Sequence, residues 1–173
     1  MNYKFQKLTK EIYDRIPNKF HSGNLNIDEF INSTKCLDVS YGKTYVSLDN
    51  KNTIIAYYNI TTGSITDPTY LDLKIGGSIH INKFALGVKW QGSHLLVNDM
   101  DMKLSDYLFM LCIEQIRKLR DEVGFTFITL CSTNEGLHLY QKAGFVLPDE
   151  DMKVVQDESE KGCYQMYYPL DIE

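Results

Sequence analysis

From Leu104 to Val123 the apolar residues fall at helical spacing. Leu104, Leu108, Leu111, Cys112, Ile116 and Leu119 make one stripe, and Glu114, Arg117, Lys118, Arg120 and Asp121 lie largely outside it. Gly124 supplies a stop signal. A strand-like run, SIHINKFALGV, precedes this helix, and a second, FTFITLC, follows it. The result is a strand–helix–strand crossover, and it constrains the fold more than any other stretch. A helix with one apolar stripe has to bury that stripe against another layer.

The flanking segments extend the pattern. Tyr3–Leu8 reads as a first strand, and Thr9 caps a short helix over EIYDRI, with Glu11 in its first turn. Asn26 and Glu29 stand at capping-box spacing before a second short helix carrying Ile27, Phe30 and Ile31. KTYVSLD and TIIAYYNITTGSI read as strands joined through Asn50-Lys51-Asn52, and Asp67-Pro68 marks a turn. Downstream, EGLHLYQKA forms a short helix ended by Gly144. Met152–Gln156 and Cys163–Leu170 form a closing hairpin around DESEKG. The order βααβββαβαββ implies a mixed α/β fold, with a mostly antiparallel central sheet flanked by helices. At 173 residues, with no repeat or linker, the chain is expected to be one domain spanning residues 1–173.

Composition narrows the function classes. A formal net charge of -5 gives no general electrostatic reason to bind nucleic acid. No run approaches a membrane span, and the start lacks the apolar core of a signal peptide. Cys36, Cys112, Cys131 and Cys163 are far apart, without a CxxC pair. The expectation is a cytoplasmic protein with reduced thiols. The four histidines lack metal-ligand spacing, so no catalytic metal is expected.

Two segments carry the chemistry. In the first, SIHINKFALGVKWQG, a strand runs into a turn at Gln91-Gly92. In the second, TLCSTNEGLHLYQKAGF, a strand ends near Asn134, a helix carries Tyr140, and Gly144-Phe145 forms the exit. Together they resemble the GNAT superfamily of acyl-CoA-dependent N-acetyltransferases. LYQKAGF is close to that family's signature of two aromatics, three variable residues and Gly-Phe, with Leu139 at the first aromatic position. FHSGNLNIDEFI, with its Asp28-Glu29-Phe30, further resembles the toxin-like bacterial branch.

The resemblance implies acetyl-CoA as donor. Backbone groups of Leu86, Gly87 and Val88 would meet the pantetheine amides, and the diphosphate would lie at the start of the following helix. The sequence departs from the family here, because aligning the usual Gln/Arg-x-x-Gly-x-Gly/Ala loop on Gln91 puts His94 and Leu96 at glycine positions. One helix from Ser93 to Val123 would also run ~46 Å at ~1.5 Å per residue. A better account keeps the Gln91-Gly92 turn, makes SHLLVNDMD an excursion, and starts the helix near Leu104-Ser105. The amides of Leu104, Ser105 and Asp106, the Ser105 hydroxyl and Lys103 would then meet phosphate. Asp106 would oppose it unless turned away. The bland alternative is that Ser105 simply caps a helix over a lost site.

Tyr140 is the implied acid for the departing thiolate; by periodicity alone it would be an interior aromatic. Asn134 either binds the pantetheine arm or caps the Tyr140 helix. His80 stands near the strand position from which related enzymes recruit a base, and is otherwise a structural histidine. The function expected is direct acetyl transfer from acetyl-CoA to a primary amine on a small molecule, a protein or an aminoacyl-tRNA. A homodimer and an antitoxin partner fit the same resemblance, and no membrane partner is expected. The altered loop supports the alternative of a catalytically impaired GNAT-fold binding or regulatory module.

Overall fold

The computed structural model of the protein describes residues 3–155 and 162–170. In chain order the principal elements are β1 (Gln6–Lys7), α1 (Lys10–Asp14), α2 (Leu25–Ile31), β2 (Lys43–Leu48), β3 (Ile54–Asp67) and β4 (Leu73–Leu86). They continue with β5 (His94–Val97), β6 (Met100–Lys103), α3 (Leu104–Lys118), β7 (Phe127–Ser132), α4 (Leu137–Lys142), β8 (Lys153–Val155) and β9 (Tyr164–Pro169). The main sheet has the order β1-β2-β3-β4-β7-β9, with β8 paired to β3. Its ladders are antiparallel at β1–β2, β2–β3, β3–β8 and β7–β9, and parallel at β4–β7. This is the mixed, mostly antiparallel architecture expected, with α3 as the crossover between parallel strands. Among the described residues no helix is long and apolar enough to cross a membrane.

The chain divides into two compact units, Met1–Ile60 with Lys83–Glu114, and Thr61–Asn82 with Gln115–Glu173. In the first unit, Leu8, Phe20, Phe30, Ile31, Cys36, Val46, Ile54, Tyr57 and Ala85 form a buried cluster. Phe20 meets the Tyr57 ring edge-on at 5.3 Å, and Phe30 stacks on it at 6.3 Å. Tyr58, pointing to the opposite face, stacks on Tyr45 and meets the edge of Phe5. On α3 the stripe residues Leu104, Leu108 and Cys112 are buried, and so is Phe109, which meets Phe84 edge-on. Thr9 caps α1 through a bond to the Ile12 amide. The cap of α2 is Asn24, not Asn26: its side chain accepts from Asn26 N and Ile27 N. The helix therefore begins two residues earlier than the capping-box spacing suggests.

In the second unit, Ile65, Ile79, Ile81, Ile116, Ile128, Leu130, Phe145, Val154 and Met166 are buried. Gly76 and Gly77 lie inside β4 rather than before it. A Cβ at Gly76 would stand 2.3 Å from the Thr126 hydroxyl and 2.7 Å from the Phe127 ring. The glycine is thus needed for close strand approach.

Two expectations are corrected in this unit. The closing strands do not form their ladders with each other. β8 runs antiparallel along β3, with Ile65 opposite Val154, and β9 runs along β7, with Leu130 opposite Met166. Gln156 and residues 157–161 of the connecting loop lie outside the described residues. Nor are all thiols free, because Cys131 and Cys163 form a disulfide with Cα atoms 5.6 Å apart. The β7–β9 register, with Ser132 opposite Tyr164, brings these distant cysteines to one end of the ladder. Cys36 and Cys112 remain free and buried. Burial pushes the Cys36 thiol up to about 11 and raises that of Cys112 well above its ordinary value. Neither is suited to thiolate chemistry.

Candidate active site

The turn after β4 is closed on itself. Gly87 N–H donates to Ile55 O at 2.9 Å, and Val88 N–H donates to His21 O at 2.8 Å. Gly87 O and Val88 O accept from Trp90 N and Gln91 N. The Gln91 side-chain amide donates to Leu86 O at 3.0 Å and to Ser22 O at 2.8 Å. Gln91 therefore fastens the turn, while Gly92 supplies its positive φ of 71° with open space around it. The N–H groups of Gly87 and Val88 are already used. What this stretch still offers a pantetheine arm is the second lone pair of its carbonyls.

The excursion from Ser93 to Lys103 is a β-hairpin, not an irregular loop. His94 pairs with Lys103 and Val97 with Met100 around Asn98-Asp99, both at positive φ. Such a two-residue turn matches the strand twist and favours Asn and Asp. His94 Nδ1 meets Asp101 Oδ2 across the hairpin at 2.9 Å. At its base Leu104 N–H donates to Ser93 O at 2.8 Å, so α3 starts where its sequence pattern starts.

This bond takes one of the four amides that a helix start leaves unpaired. Ser105 and Asp106 are half-buried in the first turn, and the Ser105 hydroxyl donates to Asp106 Oδ1 at 3.3 Å. Lys103 is exposed at the end of β6. The groups that this helix start would present to an anion are the Ser105 and Asp106 amides, the Ser105 hydroxyl, which donates to Asp106, and the Lys103 ammonium. The Asp106 carboxylate stands among them with the wrong sign. The fit to a diphosphate is therefore retained in donor type and reduced in charge.

In the second unit, β7 leads through Ser132-Thr133 into α4. The N-cap of the helix is Gly136, whose N–H donates to Thr133 O; Asn134 is exposed and does not cap it. Tyr140 is half-buried, with Phe145 edge-on at 6.3 Å. Phe145 N–H donates to Tyr140 O after Gly144, at φ 95°, has turned the chain. Phe145 in turn meets Tyr168 at 5.4 Å, and the Arg117 guanidinium donates to the Tyr168 hydroxyl. The Gly-Phe exit thus holds the tyrosine helix by a hydrogen bond and an aromatic contact together.

His80 lies in β4 opposite Thr129, 3% exposed, with Nδ1 2.9 Å from the Thr129 hydroxyl. Thr129 Oγ1 reaches Ser78 Oγ at 3.4 Å. Burial pulls the His80 pKa down to about 4. At neutral pH it is an uncharged imidazole that would hold a captured proton weakly.

No family model matches the sequence, and no curated protein matches it. Solved structures do. The crystal structure of a bacterial toxin superposes with a TM-score of 0.71 at 14% identity, over 97% of this chain and 92% of that one. A tyrosine-to-phenylalanine mutant of the AtaT toxin, bound to acetyl-CoA and the C-terminus of the antitoxin AtaR, gives 0.70 at 16% identity. That match covers 98% of this chain and 94% of the other. The fold is GNAT-like. AtaT complexed with acetyl-methionyl-tRNAfMet matches at 0.68 and 15% identity, over 97% and 95% of the two chains. What the chain shares with these toxins at such identities is the fold alone.

One arrangement leaves no signal in local spacing. His21 and Ser22 both bond the carboxylate of Asp28, and the same two residues accept the bonds from Val88 and Gln91. The histidine and aspartate stand seven residues apart, on either side of a turn. Only the folded turn brings them together.

Proposed function

We propose that the chain is an acetyl-CoA-dependent N-acetyltransferase, a single GNAT-like domain that passes an acetyl group directly to a primary amine. The observation that carries this reading is Tyr140: a half-exposed tyrosine on a six-residue helix, gripped by its own Gly-Phe exit. Support for the donor and acceptor comes from AtaT, which has the same fold and has been captured with acetyl-CoA and with acetyl-methionyl-tRNAfMet. We assign an aminoacyl-tRNA as the acceptor class, with an antitoxin as regulatory partner.

In this mechanism Leu86, Gly87 and Val88 receive the pantetheine N–H groups on their carbonyls, and Asn134 adds a polar contact to the arm. Gln91 and Gly92 keep the turn in shape. The starts of α3 and the preceding residue, Lys103 to Asp106, hold the diphosphate. Tyr140 donates its hydroxyl proton to the sulfur as the amine displaces it from the carbonyl carbon. His80, 3% exposed and uncharged at neutral pH, is a secluded and weak proton acceptor.

The closed turn at 86–91 and the inserted hairpin favour a second reading, a GNAT-fold binding or regulatory module without turnover. Titration with acetyl-CoA, followed by acetyl transfer to total aminoacyl-tRNA, separates the two. Binding with turnover supports the enzyme, and a folded chain that binds no acetyl-CoA rejects it. In the enzyme, Tyr140→Phe lowers kcat by about 100-fold with little change in acetyl-CoA affinity. Undiminished kcat removes Tyr140 from the acid role.

A further inference from the structure

We infer that His21, held by Asp28, is the general base that takes the proton from the acceptor amine. The inference rests on the acetyl-transfer reading above and names a residue for the step that reading leaves weakest. An α-amino group titrates near ~7.7–8.0, so at neutral pH much of the acceptor arrives as an ammonium, which has no lone pair to attack with. A side chain must remove that proton and pass it on to water.

His21 is oriented as such a group needs to be. Its Nδ1 lies 2.8 Å from Asp28 Oδ2. The Asp28 side chain is 10% exposed, and its other oxygen accepts from the Ser22 amide at 2.7 Å and the Ser22 hydroxyl at 2.6 Å. Burial alone would raise the Asp28 pKa. The Ser22 hydroxyl, the Ser22 amide and His21 together outweigh burial and hold it below the ordinary carboxylate value. Asp28 is therefore ionised at neutral pH and can only accept, which assigns the hydrogen to Nδ1. The neutral ring then carries its lone pair on Nε2. The side chain is 73% exposed, so Nε2 can meet a substrate and release a proton to solvent. This is the base-and-orienter geometry of many acyl-transfer sites, with Asp28 as the positioning residue.

The loop is fastened to the end of β4. Val88 N–H donates to His21 O, and Gln91 joins Ser22 O to Leu86 O. A Cβ at Gly23 would lie 3.9 Å from Val88 Cγ2. His21 is thus stitched to the strand end assigned above to the donor. Asp28 is the charged partner, and Tyr57, whose hydroxyl donates to Ile27 O, is the titratable group supplied by β3. The turn contributes the Val88 backbone and the uncharged Gln91 amide, while the Lys89 ammonium lies over the Trp90 ring at 5.2 Å.

The other histidines are less suited. His80 is sealed between strands. His94 is paired with an aspartate that is itself 65% exposed, so water screens and loosens the orientation. His138 lies on α4, and among the described residues no carboxylate is bonded to it. In the proposed step an ammonium N–H bond breaks and an Nε2–H bond forms. Asp28 stabilises the imidazolium, the freed amine attacks the thioester carbonyl, and the proton leaves to water.

The test measures transfer from radiolabelled acetyl-CoA to total aminoacyl-tRNA between pH 5.5 and 8.5, for the wild type, His21→Ala, His21→Gln and Asp28→Asn. The two His21 variants are expected to lose about 100-fold in kcat with unchanged KM for acetyl-CoA. Their rates should climb with pH until the amine deprotonates by itself. Added imidazole should restore part of the His21→Ala rate, because the site is open to water. Asp28→Asn should lower kcat by at least about 10-fold. Wild-type kcat and an unchanged pH profile in both His21 variants would overturn the base assignment while leaving acetyl transfer standing. A wild-type chain that consumes no acetyl-CoA overturns both.

Discussion

The Tyr140 ring lies against Gly136: a Cβ added there would stand 3.0 Å from Cε2 of the ring and 3.0 Å from the Ser132 hydroxyl. Gly136 has φ -80° and ψ -19°, which any residue adopts. What this position requires is space rather than conformational freedom. Gly136→Ala should therefore displace the tyrosine while changing stability by less than about 1 kcal/mol. We expect a fall in kcat of about 10-fold at constant acetyl-CoA affinity, measured by steady-state kinetics and calorimetric titration. An alanine variant with wild-type kcat would show that the ring position does not matter to the chemistry.

The Cys131–Cys163 bridge ties the residue before Ser132 to the start of β9 and encloses the whole Tyr140 helix. Closing a loop of this length restricts the unfolded chain by about 3–4 kcal/mol in the chain-entropy account. Reduction, or Cys163→Ser, should lower the denaturation midpoint accordingly. Alkylation of the unfolded, unreduced protein should label two cysteines and leave the bridged pair untouched. Labelling of all four without reductant would show that the bridge is not formed.

His80 makes stability depend on pH in a definite direction. Its folded pKa, about 4, lies below the unfolded value of ~6.5, so between those values the unfolded chain binds more protons. Stability should fall as pH drops from ~6.5 to ~4, by roughly 3 kcal/mol in total. Asp28 acts in a lower window. Its pKa is depressed, so its contribution is present above the unfolded value of ~3.9 and is lost as pH falls through the folded one. Denaturation across this range should become flatter above pH ~4 in His80→Gln, and a variant that keeps the wild-type slope would assign the effect elsewhere.

Among the described residues the Tyr58 and Ser47 hydroxyls have no hydrogen-bond partner, and both are buried. Ser47 pairs with Ala56, and Tyr58 lies two residues along on the same face. Tyr58→Phe keeps the stacking on Tyr45 and removes the orphan oxygen. Thermal unfolding should show a gain of about 1 kcal/mol. A loss of similar size would mean that the hydroxyl is bonded, with ordered water as the natural partner.

How much of this was legible beforehand depends on the range of each interaction. The α3 stripe, its start at Leu104, the Thr9 cap and the β7–α4–Gly144 passage were readable because each rests on spacing within a few residues. The 94–103 hairpin was missed although it also is local. Its strands have four residues each, too short for alternation to stand out, and by sequence the Asn98-Asp99 pair reads as part of a loop. Asn24 displaced Asn26 as the α2 cap because the two asparagines offer the same chemistry two residues apart.

The sequence by itself determined the fold class, the crossover and the tyrosine helix, because backbone periods and caps are written in neighbouring residues. Only the tertiary structure decided that Cys131 meets Cys163, that His80 is sealed against Thr129, and that Asp28 turns His21 outward beside the end of β4. Those pairings depend on strand register and loop docking. Both are set by burying one face of the sheet as a whole, a sum over distant residues that no local spacing records.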